Sequence, residues 1–413
     1  MNPRRVVVTG MGVVSPVGND CGTFFDNLLA GRSGIRRLSS GFSARLTANI
    51  GGQVEYDPAA RFPKIKLALL DRFSQFALEA AGQAIRESGL GFDKPLQGRT
   101  GVFIGTGLGG ACTIEGGYEE IFLQDRERVS PSTVVRAMNN AAAGHISIDH
   151  GLRGPSVTYS TACSSSAIAI GEACRAIRHG YADAAVAGGA ESLLTLGTIR
   201  AWEALRTLAL TDTDDPAASC RPFSKDRTGL VLAEGSGIVV LESLELAERR
   251  GARIHAEVTG YAIGSDAEHL TRPGLEGQVK AMEQALADAG IAAAEVDYIN
   301  AHGTATIAGD VIETAAIKRV FGAHARRIPI SSTKSMHGHL MGATGAVEFI
   351  AAVLAMKRRA VPPTANLRVP DPECDLDYVP NRGREGVALR TVMSNSFAFG
   401  GSNAVLIARA FGA

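Results

Sequence analysis

The sequence has no excess of charge: 42 lysines and arginines balance 42 aspartates and glutamates. A chain without a basic field has little to grip a nucleic-acid backbone, so nucleic-acid binding is not expected. No two of its six cysteines (Cys21, Cys112, Cys163, Cys174, Cys220, Cys374) are spaced as CxxC. That argues against a disulfide framework and a cysteine-rich metal centre, and the thiols read as reduced in a cytoplasmic protein. Long apolar runs are missing too. The uncharged stretch Gly154–Gly171 is full of Ser, Thr and Gly, so no membrane association is expected. Thr9 and Gly10 cut short the run Val6-Val7-Val8, which reads as a strand and not as a signal peptide.

What is present is length and glycine. A chain of 413 residues exceeds one ordinary core and points to two units. Its 48 glycines imply many tight turns and close backbone approaches. Short β-branched runs alternate with longer helical patterns, the mark of an α/β layered fold. The pattern predicts strands at Arg5–Thr9, Gly101–Gly105, Ser156–Tyr159, Ala184–Ala187, Gly237–Leu241, Ile254–Gly260, Tyr298–Asn300, Ile328–Ser331 and Val405–Ala408. It predicts helices at Thr23–Ala30, Leu70–Ser88, Ser165–His179, Gly277–Ala289 and Ala346–Lys357.

The chain also repeats itself. The strand Ser156–Tyr159, a turn carrying Cys163 and a helix match Ile328–Ser331, a glycine-rich turn carrying His339 and the helix Ala346–Lys357. Likewise Gly101–Gly107 matches Tyr298–Gly303. A boundary in the charged stretch Glu245–Arg253 divides the chain into halves 1–250 and 251–413. Two similar halves would set their strand-end loops side by side, where α/β sites form.

Four segments carry chemistry. In Tyr159-Ser-Thr-Ala-Cys163-Ser-Ser-Ser166 a strand turns into a helix at a cysteine. A helix N-terminus favours thiolate, so a lowered thiol pKa is expected there, although a buried structural cysteine is the commoner fate. In Ala301-His302-Gly-Thr304-Ala-Thr306 a histidine stands at a strand end, followed by two hydroxyls able to bond a polar ligand. In Lys334-Ser-Met-His337-Gly-His339, with Glu348 beyond, the HxH pair has no neighbouring third ligand in sequence, so no metal is expected. In Phe399-Gly-Gly-Ser-Asn403 paired glycines expose backbone N–H groups suited to an oxyanion.

Taken together, this order of Cys, His-Gly-Thr, Gly-His and Phe-Gly-Gly-Ser-Asn closely resembles the β-ketoacyl-[acyl carrier protein] synthases, from Val6–Gly18 through Arg221–Gly229 to the end of the chain. His339, where the initiating branch has Asn, points to the elongating, synthase II type. The resemblance implies a thiolase-like five-layered fold (α-β-α-β-α) of two duplicated halves with mixed sheets, assembled as a homodimer. It implies Cys163 as nucleophile and His302 and His339 as its partners, supported by Lys334 and Glu348. By the same likeness, the backbone N–H groups of Cys163 and Phe399 form an oxyanion hole, and Phe399 gates an acyl pocket lined by Leu108 and Trp202. Thr304 and Thr306 hold a phosphopantetheine arm. Lys64, Lys66, Arg126, Arg128 and Arg206 dock an acidic acyl carrier protein. No metal or diffusible redox cofactor is implied.

Two residues and one helix depart from the common pattern. Leu230 replaces a frequent Phe, His337 replaces a frequent Thr, and the docking helix is less basic than usual. Two rivals compete with this reading. Gly105-Thr-Gly107-Leu-Gly-Gly110, with Asp125 twenty residues past Gly105, fits a dinucleotide-binding GxGxxG. A non-catalytic partner subunit is the other.

Overall fold

A computed structural model describes residues 3–412. Ten strands form one mixed sheet: β1 (Val6–Val14), β2 (Thr100–Gly105), β3 (Ser156–Tyr159), β4 (Ala184–Glu191), β5 (Gly235–Ser243), β6 (Ala256–Ser265), β7 (Tyr298–Asn300), β8 (Ile330–Ser331), β9 (Thr391–Phe397) and β10 (Ser402–Arg409). They lie in the order β8-β7-β9-β10-β6-β1-β5-β4-β2-β3. From one edge the strands run β3-β2-β4-β5-β1, and from the other β8-β7-β9-β10-β6. Each strand of the second set stands where the strand five places earlier stands in the first. The sets join where β1 pairs antiparallel with β6 through Val7↔Glu257 and Val8↔Ala256.

The longer helices are α1 (Cys21–Leu29), α2 (Arg72–Ser88), α3 (Ala111–Phe122), α4 (Ala141–His150), α5 (Ser165–Arg178), α6 (Leu196–Ala204), α7 (Leu275–Ala289), α8 (Ile307–Phe321) and α9 (Thr344–Arg358). α5 and α9 pack on each other and on strands of both sets, forming the middle layer. α9 is buried without a break from Thr344 to Met356, as a helix walled on every side must be. α2 and α4 cover the outer face of the first set, and α7, backed by α8, covers that of the second. The result is the five-layered thiolase-like architecture.

Local chemistry explains the outer helices. α2 buries Phe73, Phe76, Ala77, Ala80, Ala81 and Ala84 on one face. Asp71 caps its start by accepting from the Phe73 N–H, and Gly89 ends it in a left-handed turn. The small face lets β1 lie directly on α2: a Cβ at Gly10 would sit 2.0 Å from the Ala84 carbonyl oxygen. All six cysteines are free thiols. Among the described residues no helix is long and apolar enough to cross a membrane.

Candidate active site

Four chain segments bring the site together. β3 leads into the turn Ala162–Ser164 and then α5, placing Cys163 at a helix start. β7 ends in the His302 loop before α8. β8 leads through a short helix, Lys334–His337, to His339 and the turn Met341–Ala343 before α9. Between β9 and β10 lies the turn Phe399–Gly401. Three of these loops hold a non-glycine residue in the left-handed region: Ala162 (φ +50°), Ala305 (φ +65°) and Met341 (φ +45°). Such backbone is costly, and it persists where the surrounding structure fixes a functional geometry.

His339 Nε2 lies 3.0 Å from Cys163 Sγ. The ligand-type atoms of Cys163, His302 and His339 all fall within 4.8 Å of one another. The two imidazoles meet edge to face, with centroids 5.6 Å apart. The Met341 N–H donates to His339 Nδ1 at 3.2 Å. An N–H only donates, so Nδ1 accepts, and in the neutral ring the proton resides on Nε2. His339 therefore aims a donor, not a base, at the sulfur. Burial first, then the Lys334 charge, hold both His302 and His339 well below the usual histidine value, so both rings are neutral.

The expected lowering of the Cys163 thiol is corrected here. Burial pushes it up, to about 11, and outweighs the opposing influences. Chief among those is the Lys334 charge, followed by hydrogen bonds from the backbone N–H groups of Phe399 and of Cys163 itself. These are the two N–H groups expected to form the oxyanion hole.

Lys334 and Glu348 are fully buried and paired, Nζ to Oε1, at 2.7 Å. Glu313 accepts from the N–H groups of His302 (2.8 Å) and Gly303 (2.7 Å) and so fixes the His302 loop. Arg227 donates to the carbonyls of Thr306 (3.0 Å) and Ile307 (2.8 Å), which fixes the rest of it. The HxH pair does not act as a unit. His337 donates from Nδ1 to the Gly338 carbonyl (2.7 Å), and its Nε2 meets Thr333 Oγ1 (2.9 Å), away from His339. The dinucleotide reading fails on geometry: the Gly107 and Leu108 N–H groups, which would cradle a phosphate, donate to the buried carboxyl of Glu191 (2.6 and 3.2 Å). The same Glu191 accepts from the Gly342 N–H (3.0 Å), tying that loop to the turn after His339.

A cavity of about 260 Å³ opens on the three central residues. Thr304, Thr306, Trp202 and Phe399 line it, and so does Arg206, which was expected among the docking cations instead. Trp202 stacks on Phe399 with centroids 5.7 Å apart. Leu108 is a correction: it is not among the lining residues and is 49% exposed, because the loop held by Glu191 turns its side chain outward. Of the docking cations, Lys64, Arg126, Arg128 and Arg206 are exposed, whereas Lys66 is paired with Asp149. Sequence reasoning assigned no role to Arg272, Gln278 and Glu313 on the cavity wall, or to Glu191 behind it. A lone acidic residue or glutamine in a helical or strand pattern gives no signal until its loop partners are known.

A cysteine at a helix start, faced by two neutral imidazoles inside a duplicated five-layered fold, defines a thiolase-type condensing enzyme. The comparisons narrow the class. Residues 3–247 match the β-ketoacyl synthase N-terminal domain and residues 255–368 its C-terminal domain. The chain is 45% identical over 410 residues to the 3-oxoacyl-[acyl-carrier-protein] synthase 2 of Coxiella burnetii, covering 98% of this chain and 99% of that one. It is 46% identical over 406 residues to the nodulation protein E of a Rhizobium species, covering 98% and 99%. In structure it is similar to a type II polyketide ketosynthase solved in complex with its acyl-carrier protein and bound to the hexaketide, with a TM-score of 0.90, 35% identity and 99% of both chains covered. The chain belongs to the β-ketoacyl-[acyl carrier protein] synthase family, synthase II type.

Proposed function

We propose that the protein carries out a decarboxylative Claisen condensation between an acyl group held on Cys163 and malonyl-[acyl carrier protein], lengthening a fatty-acid or related polyketide or polyene chain. The observation that carries the proposal is the grouping of two histidines on one sulfur: His339 Nε2 lies 3.0 Å from Cys163 Sγ, and the ligand-type atoms of Cys163, His302 and His339 fall within 4.8 Å of one another. Cys163 attacks the incoming thioester. The backbone N–H groups of Cys163 and Phe399 hold the oxygen of the tetrahedral intermediate, and the carrier thiol leaves. Malonyl thioester then enters. His302 and His339 donate to its carbonyl oxygen as carbon dioxide departs, and the enolate carbon attacks the Cys163 thioester, releasing the cysteine sulfur and a β-ketoacyl-carrier. Lys334 lowers the thiol by its charge, and Glu348 holds Lys334 in place. Thr304 and Thr306, whose hydroxyls lie 3.0 Å apart on the cavity wall, hold the pantetheine arm. The halves 1–250 and 251–413 then contribute the nucleophile and the two histidines respectively, a division supported by the repeated strand order. Incubation with acyl-carrier and malonyl-carrier, read by intact-carrier mass spectrometry, is expected to show the carrier gaining the acyl chain plus two carbons and a keto oxygen. A carrier that merely loses carbon dioxide with every acyl length would overturn the proposal.

Phe399 is the gate of the acyl pocket in this reading, its ring lying against Trp202 and its turn relaxed by Gly400 (φ +81°) and Gly401 (φ +73°). Phe399→Ala is expected to slow acylation of Cys163 more than malonyl decarboxylation, because the ring flanks the acyl path and not the imidazoles. Equal loss of both partial reactions, followed separately by peptide mass and carbon dioxide release, would remove the gate assignment.

The proposal places the docking of an acidic carrier at Lys64, Arg126, Arg128 and Arg206, which are exposed, beside Lys66, which is paired with Asp149. A homodimer is also part of the proposal. Large apolar side chains stand exposed at the end of α3 and beyond, among them Phe122 and Leu123 at 75% and Val134 at 68%. β3 is an edge strand paired with β2 alone. Light scattering at micromolar concentration is expected to give twice the chain mass, and a monomer would count against it.

A further inference from the structure

Gln278 stands in the first turn of α7 with its side chain 1% exposed, on the wall of the cavity that holds Cys163, His302 and His339. Its carboxamide oxygen is buried and accepts no hydrogen bond among the described residues. A buried amide oxygen without a donor is costly, so one retained on the wall of a binding cavity is matched to a donor that arrives with the ligand.

Asp266 and Glu313 line the same cavity. Asp266 already accepts from Asn403 Nδ2 (2.6 Å) and from the Gly274 N–H (2.8 Å), and Glu313 from the His302 and Gly303 N–H groups. Arg206 and Arg272 line it too, so the wall is mixed in charge and does not by itself select the ligand; what the unpaired amide oxygen calls for is a hydrogen-bond donor. Among the groups this enzyme handles in the function proposed above, a saturated acyl chain has no donor and a malonyl carboxylate has none. The pantetheine arm carries amide N–H groups, the nearest only two carbons from the thioester sulfur. Resting on that function, we propose that Gln278 is a binding residue for the pantetheine arm, its carboxamide oxygen accepting the N–H of the amide closest to the thioester.

Two small thioesters test this: hexanoyl-N-acetylcysteamine, which has that amide, and the hexanoyl thioester of 2-acetoxyethanethiol, in which an ester oxygen replaces the N–H. The readout is the rate of acylation of Cys163, followed by intact-protein mass. Wild type is expected to prefer the amide by about tenfold, the worth of one matched hydrogen bond. Gln278→Met, which conserves volume, is expected to bring the amide thioester down to the rate of the ester. Gln278→Glu keeps an acceptor oxygen and is expected to keep the preference. Equal wild-type rates on the two thioesters overturn the proposal even if no variant folds. So does a Met variant that slows both thioesters alike, the mark of a structural role. Failure of wild type to acylate Cys163 from either thioester and from an acyl-carrier overturns the parent function, and this proposal with it.

Discussion

His302→Ala and His339→Ala are expected to take up an acyl group on Cys163 and yet make almost no β-keto product. His339 points Nε2–H at the sulfur, because the Met341 N–H occupies Nδ1. A ring so arranged does not remove the thiol proton; it donates to whatever oxygen replaces or joins the sulfur. Burial and Lys334 hold both imidazoles neutral, which suits them to stabilise an enolate without first losing a proton. Loss of one such preorganised donor costs roughly a hundredfold to a thousandfold in rate. Cys163→Ala is expected to show the reverse, with no acyl-enzyme and some surviving release of carbon dioxide from malonyl-carrier. The two steps are also expected to differ in pH dependence. The thiol stands near 11, so its thiolate fraction, and with it the acylation rate, rises by roughly a factor of ten per pH unit through the neutral range. Decarboxylation stays flat there, since the imidazoles protonate only well below 6.5. A histidine variant that lost acylation while decarboxylating normally would instead make that histidine the base of a Cys–His pair.

Much of the fold was legible because the repeat is written in local pattern. Ser156–Tyr159 and Tyr298–Asn300 have the bounds expected of them, and the helix after Cys163 differs by one residue. β9 was missed. Its middle is Ser394-Asn395-Ser396, fully buried polar residues where an apolar run marks other core strands. α8 was missed as well: its buried face carries Asp310 and Glu313, acids that face inward to serve the His302 loop. The site centre was legible as residue types at chain turns. Its electrostatics were not. A helix start alone argues for a lowered thiol, and only the burial of Cys163 among HxH, Phe399 and Met341 loops reverses the sign. Glu191 gave no signal for the same reason: it accepts from Gly107, Leu108 and Gly342, all more than eighty residues away in the chain.

The second large effect expected is at Lys334–Glu348. Lys334→Met leaves the Glu348 carboxyl buried without its cation, and Glu348 Oε2 already has no partner. Breaking such a pair costs about 3–5 kcal/mol, read by urea unfolding. The loss is expected to depend on pH. Burial already raises Glu348 to about 7, and removal of the ammonium raises it further. A group whose folded pKa lies above its unfolded one favours the fold below the unfolded pKa, and that contribution is lost as pH rises through the folded pKa. The single variant is therefore most stable in acid and weakest above neutrality. Replacing both residues with Met removes the stranded charge and is expected to restore most of the stability, since apolar groups of similar volume pack as well as a buried pair. Activity is expected to part company with stability in that double variant. Lys334 is the largest influence lowering the Cys163 thiol, and it also helps hold His302 and His339 neutral. Without it the thiol rises further above 11 and the imidazoles move back toward 6.5. Alkylation of Cys163 by iodoacetamide at fixed neutral pH is expected to slow by roughly tenfold, about one pKa unit. A double variant as stable as wild type and alkylated at the same rate would reduce the pair to packing.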